Sequence, residues 1–143
     1  MEKSIDNMKK ERNLACEPEQ MSSLVLAYIG DVVYELMARA YLVEKGVCKV
    51  NLLHKEAIRM VKAESQAHVA HGLESELDAQ EIAILKRGRN AQGGRVPKNA
   101  EVSDYRYATG LEALFGYWYL KGKQDRLDWG FERAVELIEL KGE

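Results

Sequence analysis

Proline is scarce, with two residues in 143, so little in the chain interrupts a helix. Cysteine is equally scarce. Cys16 and Cys48 stand alone, with no CxxC pair and no metal-ligand spacing around them, which excludes a disulfide framework and a zinc ribbon. They read as two reduced thiols of a cytosolic protein, with a single bridge between them left open. No stretch approaches the roughly 18 apolar residues of a membrane span. Residues 1–13 are charged and polar, without the apolar segment of a secretory signal. The expectation is a cytoplasmic protein with no membrane partner. GxGxxG, the P-loop and any arguable Ser/His/Asp arrangement are missing. So are internal repeats, low-complexity tracts and sustained heptads.

What is present describes one globular domain. Hydrophobic residues make up 46% and charged residues 31%, ordinary values for a folded chain of this length. Few β-branched clusters occur, so the expected fold class is all-α, a helical bundle. Residues 1–17 read as a poorly ordered lead-in and 18–143 as the domain. Net charge is −2, but its distribution is uneven. Residues 86–106 carry six basic side chains against two acids, a local +4 that leaves the remainder at −6. A basic block on an acidic chain is the footprint of a local polyanion contact.

The stretch 24–41, LVLAYIGDVVYELMARAY, is apolar almost all round a helical cylinder and is expected to be buried. Ser22 or Ser23 caps it, and Lys45-Gly46 stops it near Glu44. A second helix is expected over 51–71, closed by Gly72. His68 and His71 lie on it three apart, but without thiols or clustered acids they read as solvated positions rather than metal ligands. A third helix opens near Asp78 and reaches KRGRNA at 86–91. A glycine- and proline-containing basic loop follows. A fourth is capped by Ser103 or Asp104, runs to about Leu120 and is closed by Gly122. A last amphipathic helix covers 126–140.

Two of these helices carry an acid in an apolar setting: Asp31 with Glu35 one turn on, and Glu112. A buried carboxylate needs a basic partner, a proton or a metal ion. Gly30, inside the first helix, costs roughly 1 kcal/mol relative to alanine and marks a close approach by another element. If the helices pack together, Asp31 and Glu112 meet, and their repulsion pushes one of them to protonate. A divalent cation resolves the conflict. Mg²⁺ takes oxygen ligands and keeps several waters, so two carboxylates suffice. Such a cation beside a basic surface is suited to phosphodiester hydrolysis.

IGDVVYEL at 29–36, together with LEALFGYWYL at 111–120, resembles the catalytic domain of the ribonuclease III family. Ile29, Gly30, Asp31 and Glu35 match the first motif of that family, and Glu112 to Gly116 match the second. LAYIGD, KRGRNA, PKN, YRY and EAL, in that order, are similar to the short branch, Mini-ribonuclease III, which has no double-stranded-RNA-binding domain. The resemblance spans roughly residues 18–140. It implies a homodimeric, all-helical endoribonuclease that cuts double-stranded RNA and matures 23S precursor ribosomal RNA. Asp31 and Glu112 then match the catalytic metal ligands for Mg²⁺, with Mn²⁺ as a substitute. Glu35 and Thr109 would stand directly behind them, although a salt bridge from Glu35 to Arg39 is an equal alternative. Tyr28 matches an aromatic residue at the dimer interface. Ala27 and Thr109 occupy two positions that are acidic in the longer enzymes. For RNA binding, the basic segment offers Arg87, Arg89, Lys98 and Arg106 as phosphate contacts.

Two other classes of function compete with this expectation. One is a non-catalytic RNA-binding or ribosome-assembly module on the same fold. The other is a helical protein-interaction module whose acids are plain ion pairs.

Overall fold

The computed structural model describes residues 12–91 and 101–142. Six α-helices run through them: α1 Ser23–Glu44, α2 Val50–Val61, α3 Ala63–Leu73, α4 Ala79–Asn90, α5 Val102–Lys121 and α6 Gln124–Lys141. Two short 3-10 turns, Pro18–Gln20 and Glu74–Glu76, complete the order. The fold is all-α, as expected.

Helix α5 is the central rod. Ten of its residues are buried, among them Leu111, Ala113, Leu114, Phe115, Tyr117 and Trp118, and α1, α3, α4 and α6 pack around it. The closest packing is between α1 and α5. A Cβ at Gly30 would overlap the backbone carbonyl of Glu112, and one at Gly116 would overlap that of Leu26. Two side-chain-free positions thus let the helix backbones touch. Trp118 is anchored from α4, where the buried Glu81 accepts a hydrogen bond from its Nε1 at 2.8 Å. Arg126 on α6 pairs with the same carboxylate through Nε at 2.8 Å. Burial pushes the Glu81 carboxyl up, but Arg126, the Asp78 backbone N–H and Trp118 together hold it below its usual value.

Most helix ends follow the sequence signals. The Ser22 side chain accepts from the Leu24 N–H. Asp78 and Glu81 form a reciprocal capping box. Gly46 and Gly122 take the positive φ values, 99° and 77°, that end α1 and α5.

Four expectations are corrected. The helix expected over 51–71 is two helices, broken at Lys62, whose ψ is 154°. The Ser65 hydroxyl donates to the Arg59 carbonyl across the break at 2.6 Å, supplying a partner the bend would otherwise remove. The second of these helices runs through Gly72 to Leu73. Helix α5 starts at Val102, so Ser103 and Asp104 lie within its first turn, and the capping position, Glu101, makes no side-chain cap bond. Finally, α1 is not buried all round. Leu26, Ala27, Gly30, Tyr34, Ala38 and Leu42 form its buried stripe. Tyr28, Val32 and Leu36 are 76%, 66% and 65% exposed, and Asp31 is exposed with them. The helix has two apolar faces, and a single chain covers only one.

Candidate active site

The α1–α5 crossing builds the site. Gly30 brings the backbone of α1 onto that of Glu112, so the next residue, Asp31, is carried to the Glu112 side chain. The two carboxyl groups come near enough to interact through charge and through a shared proton. Burial, then the charge of Asp31 and that shared proton, push the Glu112 carboxyl up to about 8, against a weaker opposing effect of a hydrogen bond from Gln66. The group therefore keeps its proton near neutrality in the free protein.

Two buried polar groups are coupled to the Glu112 charge. Gln66 on α3, almost wholly buried, supplies that opposing hydrogen bond. Tyr34 on α1 packs edge-on against Phe115, with ring centroids 5.0 Å apart. Its hydroxyl is buried with no hydrogen-bond partner. Burial, and then the Glu112 charge, push the Tyr34 phenol upward.

This donor set fits a hard divalent cation. Two carboxylates from different helices meet at a solvent-facing position and are held together by a proton, which a cation can replace. Among the described residues no group of three or more His, Cys, Asp or Glu side chains is placed to hold a metal ion. Water would complete the coordination shell of an ion at Asp31 and Glu112, as Mg²⁺ prefers.

The other site candidates are arranged unevenly. Glu35 pairs with Arg39 at 2.8 Å, which is the salt-bridge alternative. Thr109 turns its hydroxyl back to the Tyr105 carbonyl of its own helix at 3.0 Å. Arg87 donates to the carbonyls of Glu19 at 2.9 Å and Met21 at 2.8 Å, tying the segment before α1 to α4. Arg89 donates to Asn90 at 3.1 Å and lies 5.6 Å from the centre of the Tyr107 ring. The Tyr107 ring in turn lies against His71, with centroids 4.1 Å apart and planes tilted by 41°. Arg106 is exposed near the start of α5, and Lys98 lies outside the described residues. His68 contacts the Leu137 carbonyl through Nε2 at 3.2 Å, so His68 and His71 point to different partners.

Residues 24–123 match the family model for the ribonuclease III domain. The chain belongs to the ribonuclease III family. Within that family it is similar to Mini-ribonuclease 3 of Desulfitobacterium hafniense, at 48% identity over 120 residues, covering 84% of this chain and 76% of that protein. Mini-ribonuclease 3 of Brevibacillus brevis is 44% identical over 132 residues, covering 92% and 98%. A crystal structure of a Fusobacterium nucleatum protein superposes with a TM-score of 0.75 at 29% identity, covering 82% of this chain and 93% of that one. These relatives place the chain in the Mini-ribonuclease 3 branch of the family, and it is an endoribonuclease, a hydrolase. Ribonuclease III enzymes are metal-dependent and act on double-stranded RNA.

Gln66 and Tyr34 escaped the sequence reading. Each sits at core spacing on its helix, where a lone amide or phenol looks like any other buried residue. The only signal for Gln66 was that it interrupts the otherwise small and apolar face formed by Ala67, Val69, Ala70 and Leu73.

Proposed function

We propose that this Mini-ribonuclease III uses Asp31 and Glu112 to hold Mg²⁺, or Mn²⁺ in its place, and cleaves duplex RNA as a homodimer. The observation that carries this reading is the α1–α5 crossing itself, where the Gly30 backbone meets that of Glu112 and brings the Asp31 and Glu112 carboxyl groups near enough to interact. A bound cation would activate water and offset charge on the phosphate. The protein contributes placement: Gly30 sets the distance between the two helices, Asp31 stands at the solvent face, and Glu112 closes the site from below. Arg89 and Arg106, beside the start of α5, offer guanidinium groups to the phosphates of an A-form duplex, which is gripped through backbone and 2′-hydroxyls rather than by sequence. Arg87 would have to share its donors with Glu19 and Met21, and Lys98, outside the described residues, is proposed as a further phosphate contact on its charge alone.

The exposed Tyr28, Val32 and Leu36 lie on one face of α1, continuous with Asp31. An apolar stripe of this kind supports pairing of two copies through α1, with Tyr28 entering the partner. Two sites would then face one duplex. The proposed substrate is precursor 23S ribosomal RNA in the cytoplasm; the motif match to the short branch supports it. Among the described residues no helix is long and apolar enough to cross a membrane.

The test is a long RNA duplex and a single strand of equal length, each incubated with the protein in Mg²⁺ and in excess chelator. Cleavage of the duplex only with Mg²⁺ is expected. Tight duplex binding with no cleavage in any divalent ion would favour a non-catalytic RNA-binding module, a reading supported by Ala27 and Thr109 at two usually acidic positions.

A further inference from the structure

We propose that the groove between the C-terminal half of α1 and α6 docks a basic amphipathic helix of a partner protein. The apolar floor of the groove takes the apolar stripe of that helix, and the acidic rim takes the lysines or arginines beside the stripe. The inference is independent of the metal site.

The groove encloses about 600 Å³. Met37, Tyr41, Phe131 and Val135 make its floor, with the exposed Ala40 at its edge. The floor is anchored in the core: Phe131 meets Tyr41 and Tyr34 edge to face, with ring centroids 6.3 and 5.9 Å apart. On α6 the lining runs from Asp128 to Glu136, a length of about 12 Å at 1.5 Å per residue. A furrow of this kind between two helices accepts the side-chain ridge of a third.

The rim selects the occupant. Glu44, Asp128, Glu132 and Glu136 line it, and among the described residues no basic side chain does. Asp128, Glu132 and Glu136 stand in a row along α6, each four residues from the next, and like charges at that spacing destabilise a helix. Asp128 accepts a hydrogen bond from Gln124 at 2.8 Å, and Glu136 pairs with Arg133 at 2.8 Å. The side chains of Glu44 and Glu132 have no partner among the described residues. The Lys45 ammonium lies over the Tyr41 ring, 5.6 Å from its centre, so the aromatic wall beside Glu44 already takes a cation. A solvated face accounts for the acids but not for the apolar floor between them. A cationic amphipathic helix complements both.

The groove leaves the active site open. Met37, Ala40 and Glu44 stand about 120–180° round α1 from Asp31, so a helix seated here does not cover the two carboxylates.

The probe is a lysine–leucine peptide of about five turns, patterned as an amphipathic helix and compared with a scrambled peptide of the same composition. Binding to the full chain is read by calorimetry and mapped by NMR. The expected result is tighter binding of the patterned peptide, with signals of Met37, Ala40 and Val135 shifting and those of Tyr28, Val32 and Asp31 fixed. Glu44→Gln combined with Glu132→Gln should weaken that binding about 3–10-fold. Ala40→Arg, which fills the groove and adds a like charge to the peptide's, should abolish it. Glu101→Gln, an exposed acid outside the groove, should leave it unchanged. Circular dichroism establishes that each variant is folded, and the wild-type shift map decides alone if one is not.

Failure of the patterned peptide to bind, equal affinity for the scrambled peptide, or shifts centred on Tyr28 and Val32 would overturn the inference. So would folded groove variants with wild-type affinity. Self-association of the wild type that Ala40→Arg removes and Leu36→Glu leaves intact would also overturn it, since the occupant is then a second copy of this chain.

Discussion

Gly30 lies directly against the backbone carbonyl of Glu112, with no room for a side chain between them. One contact therefore both packs α1 on α5 and assembles the site, since Asp31 follows Gly30 in sequence. Stability and activity are linked here through a missing methyl group.

Gly30→Ala is expected to force the two helices apart. Overpacking of this kind costs about 1–3 kcal/mol, a fall of about 3–5 °C in melting temperature per kcal/mol for a chain of this size. Cleavage should fall further than stability, because Asp31 moves with the displaced backbone. Thermal melts and duplex cleavage on the same preparation check this. A variant with wild-type melting temperature would show that the crossing is looser than described.

The pH dependence of the metal-free protein reports on Glu112. Its carboxyl is pushed up from 4.5 in the free side chain to about 8 in the fold. Between those values the folded protein holds a proton that the unfolded chain releases. Stability is therefore full below about pH 4.5 and is lost as pH rises through 8. Glu81 acts in the opposite sense and outside this window: its carboxyl is held low, so its contribution is lost only as pH falls below 4.5. Melting temperatures in chelator from pH 5 to 8.5 should decline, and Glu112→Gln should flatten the decline. Equal slopes in the two proteins would contradict the shift.

The basic residues should separate into two kinds. Arg87→Ala is expected to lower stability, because it releases the carbonyls of Glu19 and Met21. Arg89→Ala with Arg106→Ala should leave the melting temperature unchanged and reduce the salt dependence of RNA binding. The slope of log K against log salt should fall by about 1–2, one unit for each lost phosphate contact. Binding titrations at several salt concentrations measure it, and an unaltered slope would remove both residues from the RNA contact.

Charge alone could not make that distinction in the sequence, because a block of arginines does not reveal which of them face carbonyls. Other features were legible. Ser22, Asp78 and Gly122 announced helix ends through local chemistry that needs no tertiary contact. Asp31 and Glu112 stood out as acids in apolar helices, and Gly30 as a helix glycine needing a reason. The break at Lys62 carried no glycine or proline to mark it; it arises because α2 and α3 bury different faces. The two apolar faces of α1 read as one buried cylinder, since periodicity counts apolar positions without saying what covers each. Gln66 was hidden for the same reason.

The uncovered face of α1 predicts association. Val32→Glu or Leu36→Glu should turn a dimer into a monomer in sedimentation equilibrium without loss of helix content, because a charge would be buried at the centre of an apolar contact. Wild-type protein that sediments as a monomer at tens of micromolar would contradict pairing through this face.

The most direct test of the central claim is cleavage of a long RNA duplex in Mg²⁺ by wild-type protein, Asp31→Asn and Glu112→Gln, compared on one denaturing gel. The account predicts cleavage by the wild type and none by either variant, with both variants folded by circular dichroism. A folded Asp31→Asn or Glu112→Gln protein that cuts at the wild-type rate would contradict it.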